Sequence, residues 1–241
     1  MKKQTLSTVV LAIAATWVTT SLAAEWSYTG EHGVEHWGKT FTTCGEGVNQ
    51  TPIDINATTQ AELVPLHIEY KGQVSELTNN GHTVQANVTA GSFLKVDGKT
   101  FELKQFHFHT PSENYLKSKQ FPLEAHFVHA TPDGQLAVIG VMFDTGPRAN
   151  DQLSTLLSTI PTKGETQSVS TALNPADFLP REREYYRFNG SLTTPPCSEG
   201  VRWFVMKDHL TGSEQQIQAL HQVMGDNARP LQPVNARLVL E

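Results

Sequence analysis

Apolar and polar residues alternate in short runs along most of this chain. Leu66–Tyr70, Thr83–Val88, Phe93–Val96, Lys104–His109, Glu124–His129, Leu136–Phe143 and Val201–Met206 each read as a β-strand. Asn79-Asn80-Gly81, Asp97-Gly98 and Pro132-Asp133-Gly134 supply turn chemistry between them. Two segments follow the helical period instead. Asp151–Ile160 brings Leu153, Leu156, Leu157 and Ile160 to one face, and Glu214–Met224 does so with Ile217, Leu220 and Met224. Ser213 and Gln216 have the spacing of a capping box before the second helix, and Gly225 is its stop. Many strands with few helices predict a mostly-β domain around a large sheet. No repeat, low-complexity tract or Pro/Ser linker divides the chain.

The length of 241 residues allows one domain with a substantial core. An apolar fraction of 38% and a charged fraction of 17% fit neither disorder nor a membrane protein. Residues 1–23 stand apart: Lys2 and Lys3 precede a largely apolar stretch, Leu6–Leu22, and Ser21-Leu22-Ala23 ends it with small residues at the −3 and −1 positions. This is a secretory signal peptide, cut after Ala23, with residues 24–241 as the folded domain. A membrane anchor is the alternative, disfavoured because the segment is short and flecked with Ser and Thr. Losing Lys2 and Lys3 takes the formal net charge from −6 to −8, and so acidic an exported chain has no electrostatic reason to bind nucleic acid. In an oxidising compartment Cys44 and Cys197 either form one disulfide, which is the expectation, or remain separate buried thiols.

Chemistry enters with the histidines. In a strand, Gln105, His107 and His109 share one face while Phe106 and Phe108 point to the other. His107 and His109 then stand about 6.5 to 7 Å apart at their Cα atoms, a gap two imidazoles can close onto one metal ion. In Glu124–His129, Glu124 and His126 share a face. Thr110–Pro122 can return the chain, so the two strands can pair antiparallel and place His126 beside the other two. Three histidines with an open fourth position make a catalytic zinc site, and Gln105 and Glu124 are on the faces from which they can orient the rings. Satisfied core histidines are the competing explanation. His32-Gly33-Val34-Glu35-His36 also spells a zinc-peptidase pattern, but that pattern needs a helix, and Gly30 and Gly33 argue against one.

QFHFHTPSE (105–113), PLEAHFVH (122–129) and GSLTTPPCSEGVRW (190–203) resemble the α-class carbonic anhydrases, as do EHWG (35–38), NQTPIDI (49–55), NNGHTVQ (79–85) and NARPLQP (227–233). The blocks run in family order through nearly all of the exported chain, and the signal peptide and cysteine pair look like the bacterial exported branch. The resemblance implies a twisted, mainly antiparallel central sheet with a few short peripheral helices. It also implies zinc-dependent, reversible hydration of CO2 to bicarbonate and a proton, through zinc-bound hydroxide and a histidine proton shuttle.

Carried over, His107, His109 and His126 match the zinc ligands. Gln105, Glu124 and the carbonyl of Asn227 match their supports. Thr193 matches the gatekeeper threonine, Glu113 the acid that orients it, and His82 the shuttle; by itself His82 reads only as an exposed turn residue. Tyr28, Asn80 and Thr194 match residues that hold the water chain. Val128, Val138, Leu192, Val201 and Trp203 match the wall of the CO2 pocket, and Cys44 and Cys197 the disulfide of secreted members. Phe188 departs from the pattern, standing where many members have a tyrosine. The implied location is the periplasm, with CO2 and bicarbonate as partners, no nucleic acid or membrane, and a homodimer by analogy with bacterial relatives. The alternative function is a catalytically silent binding module on the same scaffold, whose members usually lack a zinc histidine.

Overall fold

The computed structural model describes residues 25–170 and 173–241; the signal peptide expected at residues 1–23 lies outside them. Among the described residues, 11 strands form one mixed sheet. Along its main path the order is Thr166–Ser168, Val74–Asn79, Val84–Val88, Lys99–His109, Leu123–Ala130, Leu136–Thr145, Glu199–Met206 and Tyr185–Ser191. Ser92–Val96 pairs with the first half of Lys99–His109, and His67–Tyr70 pairs with the outer edge of Ser92–Val96. Pairing is antiparallel except where Leu136–Thr145 meets Glu199–Met206 and Leu210–Gly212. This is the mostly-β, mainly antiparallel single domain that the sequence predicts.

Each expected strand is present, within a few residues of its expected ends. The helix Glu214–Met224 has its capping box, with Ser213 and Gln216 satisfying each other's backbone, and it stops at Gly225 with φ 69°. The other helix, Asp151–Leu157, ends three residues early. Ser158 and Thr159 turn their hydroxyls back onto the carbonyls of Thr155 and Leu156, and Pro161 follows. The strands Val74–Asn79 and Tyr185–Ser191 are additions to the expectation. Both carry a register shift that breaks the alternation, and in the second the Asn189-Gly190 pair looks like a turn.

The sheet is covered on both faces. One face carries the main core, with Phe101, Leu103, Phe106, Phe108, Phe127, Ile139, Phe143 and Phe204 packed against both helices. The other carries a smaller cluster of Ile53, Val138, Met142, Phe188, Val201 and Trp203. Burial on both faces explains why Leu136–Phe143 reads as an almost unbroken apolar run. A β-bulge between Leu103 and Gln105 governs the strand Lys99–His109. It lets odd-numbered Phe101 and Leu103 share the main core with even-numbered Phe106 and Phe108, and it sends Gln105, His107 and His109 to the opposite face. Each buried phenylalanine contributes about 1.5–3 kcal/mol toward holding that register. The disulfide Cys44–Cys197 joins residues 153 apart, with Cα atoms separated by 5.0 Å. Closing so long a loop in the unfolded chain is worth up to about 5 kcal/mol.

His129 is fully buried and faces the core, away from the other histidines of its region. Its Nε2 accepts from the Tyr70 hydroxyl at 2.6 Å and its Nδ1–H donates to the carbonyl of Ala137 at 3.2 Å, an arrangement suited to the neutral ring. Burial pulls its pKa down to about 4. An unfolded histidine titrates near 6.5, so this group's contribution is intact above that pH and is lost as pH falls from about 6.5 toward 4, by about 3 kcal/mol in total. Urea midpoints measured from pH 7.5 to 4.5 should therefore fall more steeply for wild type than for His129→Gln; parallel slopes would remove His129 from the acid response.

Candidate metal centre

The paired register decides the geometry. His107 lies directly opposite His126 on the neighbouring strand, and His109 opposite Glu124. One nitrogen from each of His107, His109 and His126 falls within a cluster in which all lie within 4.8 Å of one another. The ring centroids stand 5.1 Å apart for His107 and His109, 5.4 Å for His107 and His126, and 4.5 Å for His109 and His126.

The outer nitrogens each face an oxygen, which fixes the inner ones. His107 Nδ1 donates to Gln105 Oε1 at 2.8 Å, and His109 Nδ1 to the backbone carbonyl of Asn227 at 2.8 Å. His126 Nε2 lies 2.9 Å from Glu124 Oε1. The inward atoms are therefore Nε2 of His107, Nε2 of His109 and Nδ1 of His126. Glu124 is buried, which by itself raises its pKa, but His126 and the Asn114 amides outweigh burial and hold the carboxyl below its ordinary range. It accepts from the backbone N–H of Glu113 and Asn114 and from the Asn114 side chain. Burial, then the neighbouring imidazoles, push His107 well below the usual histidine range; burial also lowers His109. His107 and His109 are thus disposed to be neutral.

Glu113 faces the same space. Its Oε1 accepts from the Arg229 backbone N–H at 2.8 Å, while Oε2 has no hydrogen-bond partner and lies 3.4 Å from His109 Nε2 and 3.8 Å from His126 Nδ1. Burial raises its pKa to about 7, against the pull of His126, the Arg229 N–H and the Thr193 side chain. His109 Nε2 is likewise buried without a partner. Orphaned buried groups are costly. A divalent cation among the three inner nitrogens would satisfy the imidazole and, by its charge, favour the carboxylate. The donor set is the nitrogen-rich one that suits zinc.

Of the other expected residues, several build the smaller apolar cluster. Val138, Val201 and Trp203 are buried in the smaller cluster, with Val128 and Leu192 half-buried against it. Trp203 meets His126 edge to face at 4.9 Å. Thr193 is buried and Thr194 half-buried, in a loop closed by a hydrogen bond from Leu192 N–H to the Ser198 carbonyl. On another side, Asn80 Oδ1 accepts from the backbone N–H of His82 and of Thr83, around Gly81 at φ 84°. The carboxamide that sequence matching associates with a water chain thus also builds the turn that carries His82. His82 stacks on Trp26 at 4.0 Å, and Tyr28 sits edge-on at 6.3 Å. Burial and then Lys163 lower the His82 pKa; burial and the Glu113 charge keep the Tyr28 hydroxyl protonated.

Asn227 does more than its carbonyl implied. It is fully buried, its Nδ2 donates to the carbonyls of His82 and Phe108, and its Oδ1 accepts from Thr110 N–H, so it bolts the His82 turn to the ligand strand. Sequence reading passed over Arg229 and Trp26. Arg229 lies inside one of the quoted motifs, but nothing in a lone arginine says that it will be buried with its guanidinium on Gln50, Thr51 and Cys44. The competing His32/His36 pattern occupies two short 3₁₀ turns separated by an extended Gly33 with ψ 172°, so no helix aligns the two rings.

The family model for eukaryotic-type carbonic anhydrases matches residues 32–241. The chain is 45% identical over 223 residues to a carbonic anhydrase of Pectobacterium carotovorum, an alignment covering 90% of this chain and 91% of that protein. Its fold matches the α-carbonic anhydrase of Photobacterium profundum with a TM-score of 0.89 and 74% identity, over 90% of this chain and 100% of the other. The α-carbonic anhydrase of Thermovibrio ammonificans, solved with the inhibitor sulfanilamide, matches with a TM-score of 0.88 and 43% identity, over 91% of this chain and 100% of the other. A family match that spans residues 32–241, with both histidine strands inside it, means that this chain belongs to the α-class, eukaryotic-type carbonic anhydrase family.

Proposed function

We propose that this carbonic anhydrase hydrates CO2 reversibly by means of a single zinc ion held by His107 Nε2, His109 Nε2 and His126 Nδ1. The observation that carries this reading is the convergence of three inward nitrogens, each on a ring whose other nitrogen already faces a fixed oxygen. Zinc in such a site acts as a Lewis acid that brings the pKa of water to about 7, a value known for carbonic anhydrase itself and taken from it. The protein does the rest. Neutral histidines leave the centre its full positive charge. Gln105, Glu124 and the Asn227 carbonyl hold the rings in one tautomer and one orientation. Thr193 donates its hydroxyl proton to Glu113, which leaves its oxygen as an acceptor that aims the nucleophile. CO2 is apolar and rests against Val128, Val138, Leu192, Val201 and Trp203, where water is poorly held. His82 takes the released proton and passes it to buffer, as an imidazole titrating near or below its ordinary range can do at neutral pH. Tyr28, Asn80 and Thr194 hold the water that connects His82 to the centre.

A silent binding module has no specific observation in its favour, because all three histidines and their supports are in place. The signal-like segment at residues 1–23 and the Cys44–Cys197 disulfide favour export to the periplasm. Among the described residues no helix is long and apolar enough to cross a membrane.

Stopped-flow CO2 hydration should be abolished by a chelator and restored by zinc, and His107→Ala should be inactive; wild-type rates in either case would overturn the assignment. His82→Ala should lower kcat, with little change in kcat/KM, and imidazole buffer should rescue it; normal kcat in weak buffer would exclude His82 as the shuttle. Asn227→Ala removes three side-chain hydrogen bonds, two of them fully buried, and should cost about 2–4 kcal/mol in urea unfolding. A loss under 1 kcal/mol would show that it ties nothing together.

A further inference from the structure

Thr51 joins the two segments that must meet beneath the site. Its backbone N–H donates to Ser191 Oγ at 3.0 Å, and the Ser191 N–H donates back to Thr51 Oγ1 at 3.0 Å. Both residues are fully buried. The Thr51 hydroxyl packs so tightly over Gly190 that a Cβ there would stand 2.1 Å from it. Ser191 is two residues before Thr193, and its carbonyl accepts from Trp203 Nε1 at 2.9 Å. The Thr51 carbonyl, in turn, accepts from the Arg229 guanidinium at 2.8 Å, and the Arg229 backbone N–H donates to Glu113 Oε1 at 2.8 Å. Thr51 therefore reaches Thr193 through Ser191, and Glu113 through Arg229. Close by, Phe188 lies parallel to Trp203, with ring centroids 6.0 Å apart and planes inclined by 3°. Phe188 offers packing and no hydroxyl, which leaves the hydrogen bonding of this corner to the Thr51–Ser191 pair.

We infer that Thr51 is a positioning residue, one that sets the distance and direction between the Thr193 hydroxyl and the Glu113 carboxylate. It touches no reacting atom. The inference rests on the roles proposed for Thr193 and Glu113, and a mutant cycle separates the two claims. Thr51→Ala deletes the acceptor for Ser191 N–H. It should lower kcat/KM for CO2 hydration about tenfold, in line with the cost of small misplacements at reacting groups. Thr51→Ser keeps the hydroxyl and should stay within twofold of wild type. Ser191→Ala, which removes the other half of the pair, should match Thr51→Ala and serves if that variant folds poorly. In zinc-free protein the Ser191 amide should exchange with solvent markedly faster in Thr51→Ala, read by NMR. Added to Thr193→Ala, Thr51→Ala should cost less than a further twofold, since nothing remains to position. Wild-type kcat/KM in Thr51→Ala beside a crippled Thr193→Ala would refute the positioning role. So would an equal loss in both backgrounds, which marks a general structural defect. Wild-type rates in Thr193→Ala would instead remove the gatekeeper role and this inference with it.

Discussion

Everything at this centre depends on the backbone register between Lys99–His109 and Leu123–Ala130. Side chains in a strand change face at every residue, so a slip of one position would bury His107 and His109 among phenylalanines and turn Phe106 and Phe108 toward the cavity. Two features hold the register. Phe106, Phe108 and Phe127 anchor the core side, where Phe106 and Phe127 stack at 5.1 Å. The bulge between Leu103 and Gln105 lets the first half of the strand keep its own apolar residues in the same core without forcing the histidines inward. The site is thus the reverse side of a hydrophobic seam, and its precision comes from packing that is cheap to build and costly to disturb.

Around that seam the polar groups are arranged in layers that answer one another. Glu124 holds His126 and is itself held by Asn114 and the Glu113 backbone. Asn227 holds His109 with its carbonyl and spends its side chain on the His82 turn and the ligand strand. Arg229 connects Glu113 to Thr51, and the disulfide ties the Cys44 segment to the turn that follows Thr193. Chain segments far apart in sequence thereby share one rigid frame. A buried cluster of three histidines and one carboxylate needs such a frame, because buried polar groups are tolerable only when their partners are fixed.

The sequence carried the site farther than the fold. Alternation alone put Gln105, His107 and His109 on one face and His126 within reach, because period-2 patterning is strict over a few residues. The capped helix Glu214–Met224 was legible for the same kind of reason, since its stop and start signals are local. Val74–Asn79 and Tyr185–Ser191 escaped because bulges disrupt their alternation, and a bulge is fixed by the partner strand rather than by the strand's own residues. The two parallel pairings of Leu136–Thr145 were likewise invisible, since they depend on where distant strands return. The support given by Asn227 and Thr193 entered through family likeness and not through pattern, and the junction at Thr51 and Arg229 is a property of four segments meeting in space.

The central claim is that three nitrogens, chosen by their outer partners, hold one zinc ion. X-ray diffraction from zinc-loaded crystals, with anomalous data on either side of the zinc absorption edge, tests it directly. The account predicts a single strong peak about 2.0–2.1 Å from Nε2 of His107, Nε2 of His109 and Nδ1 of His126, with a non-protein ligand in the fourth position. A peak at His32 and His36, coordination through the opposite ring nitrogens, or no peak among the three histidines would contradict it.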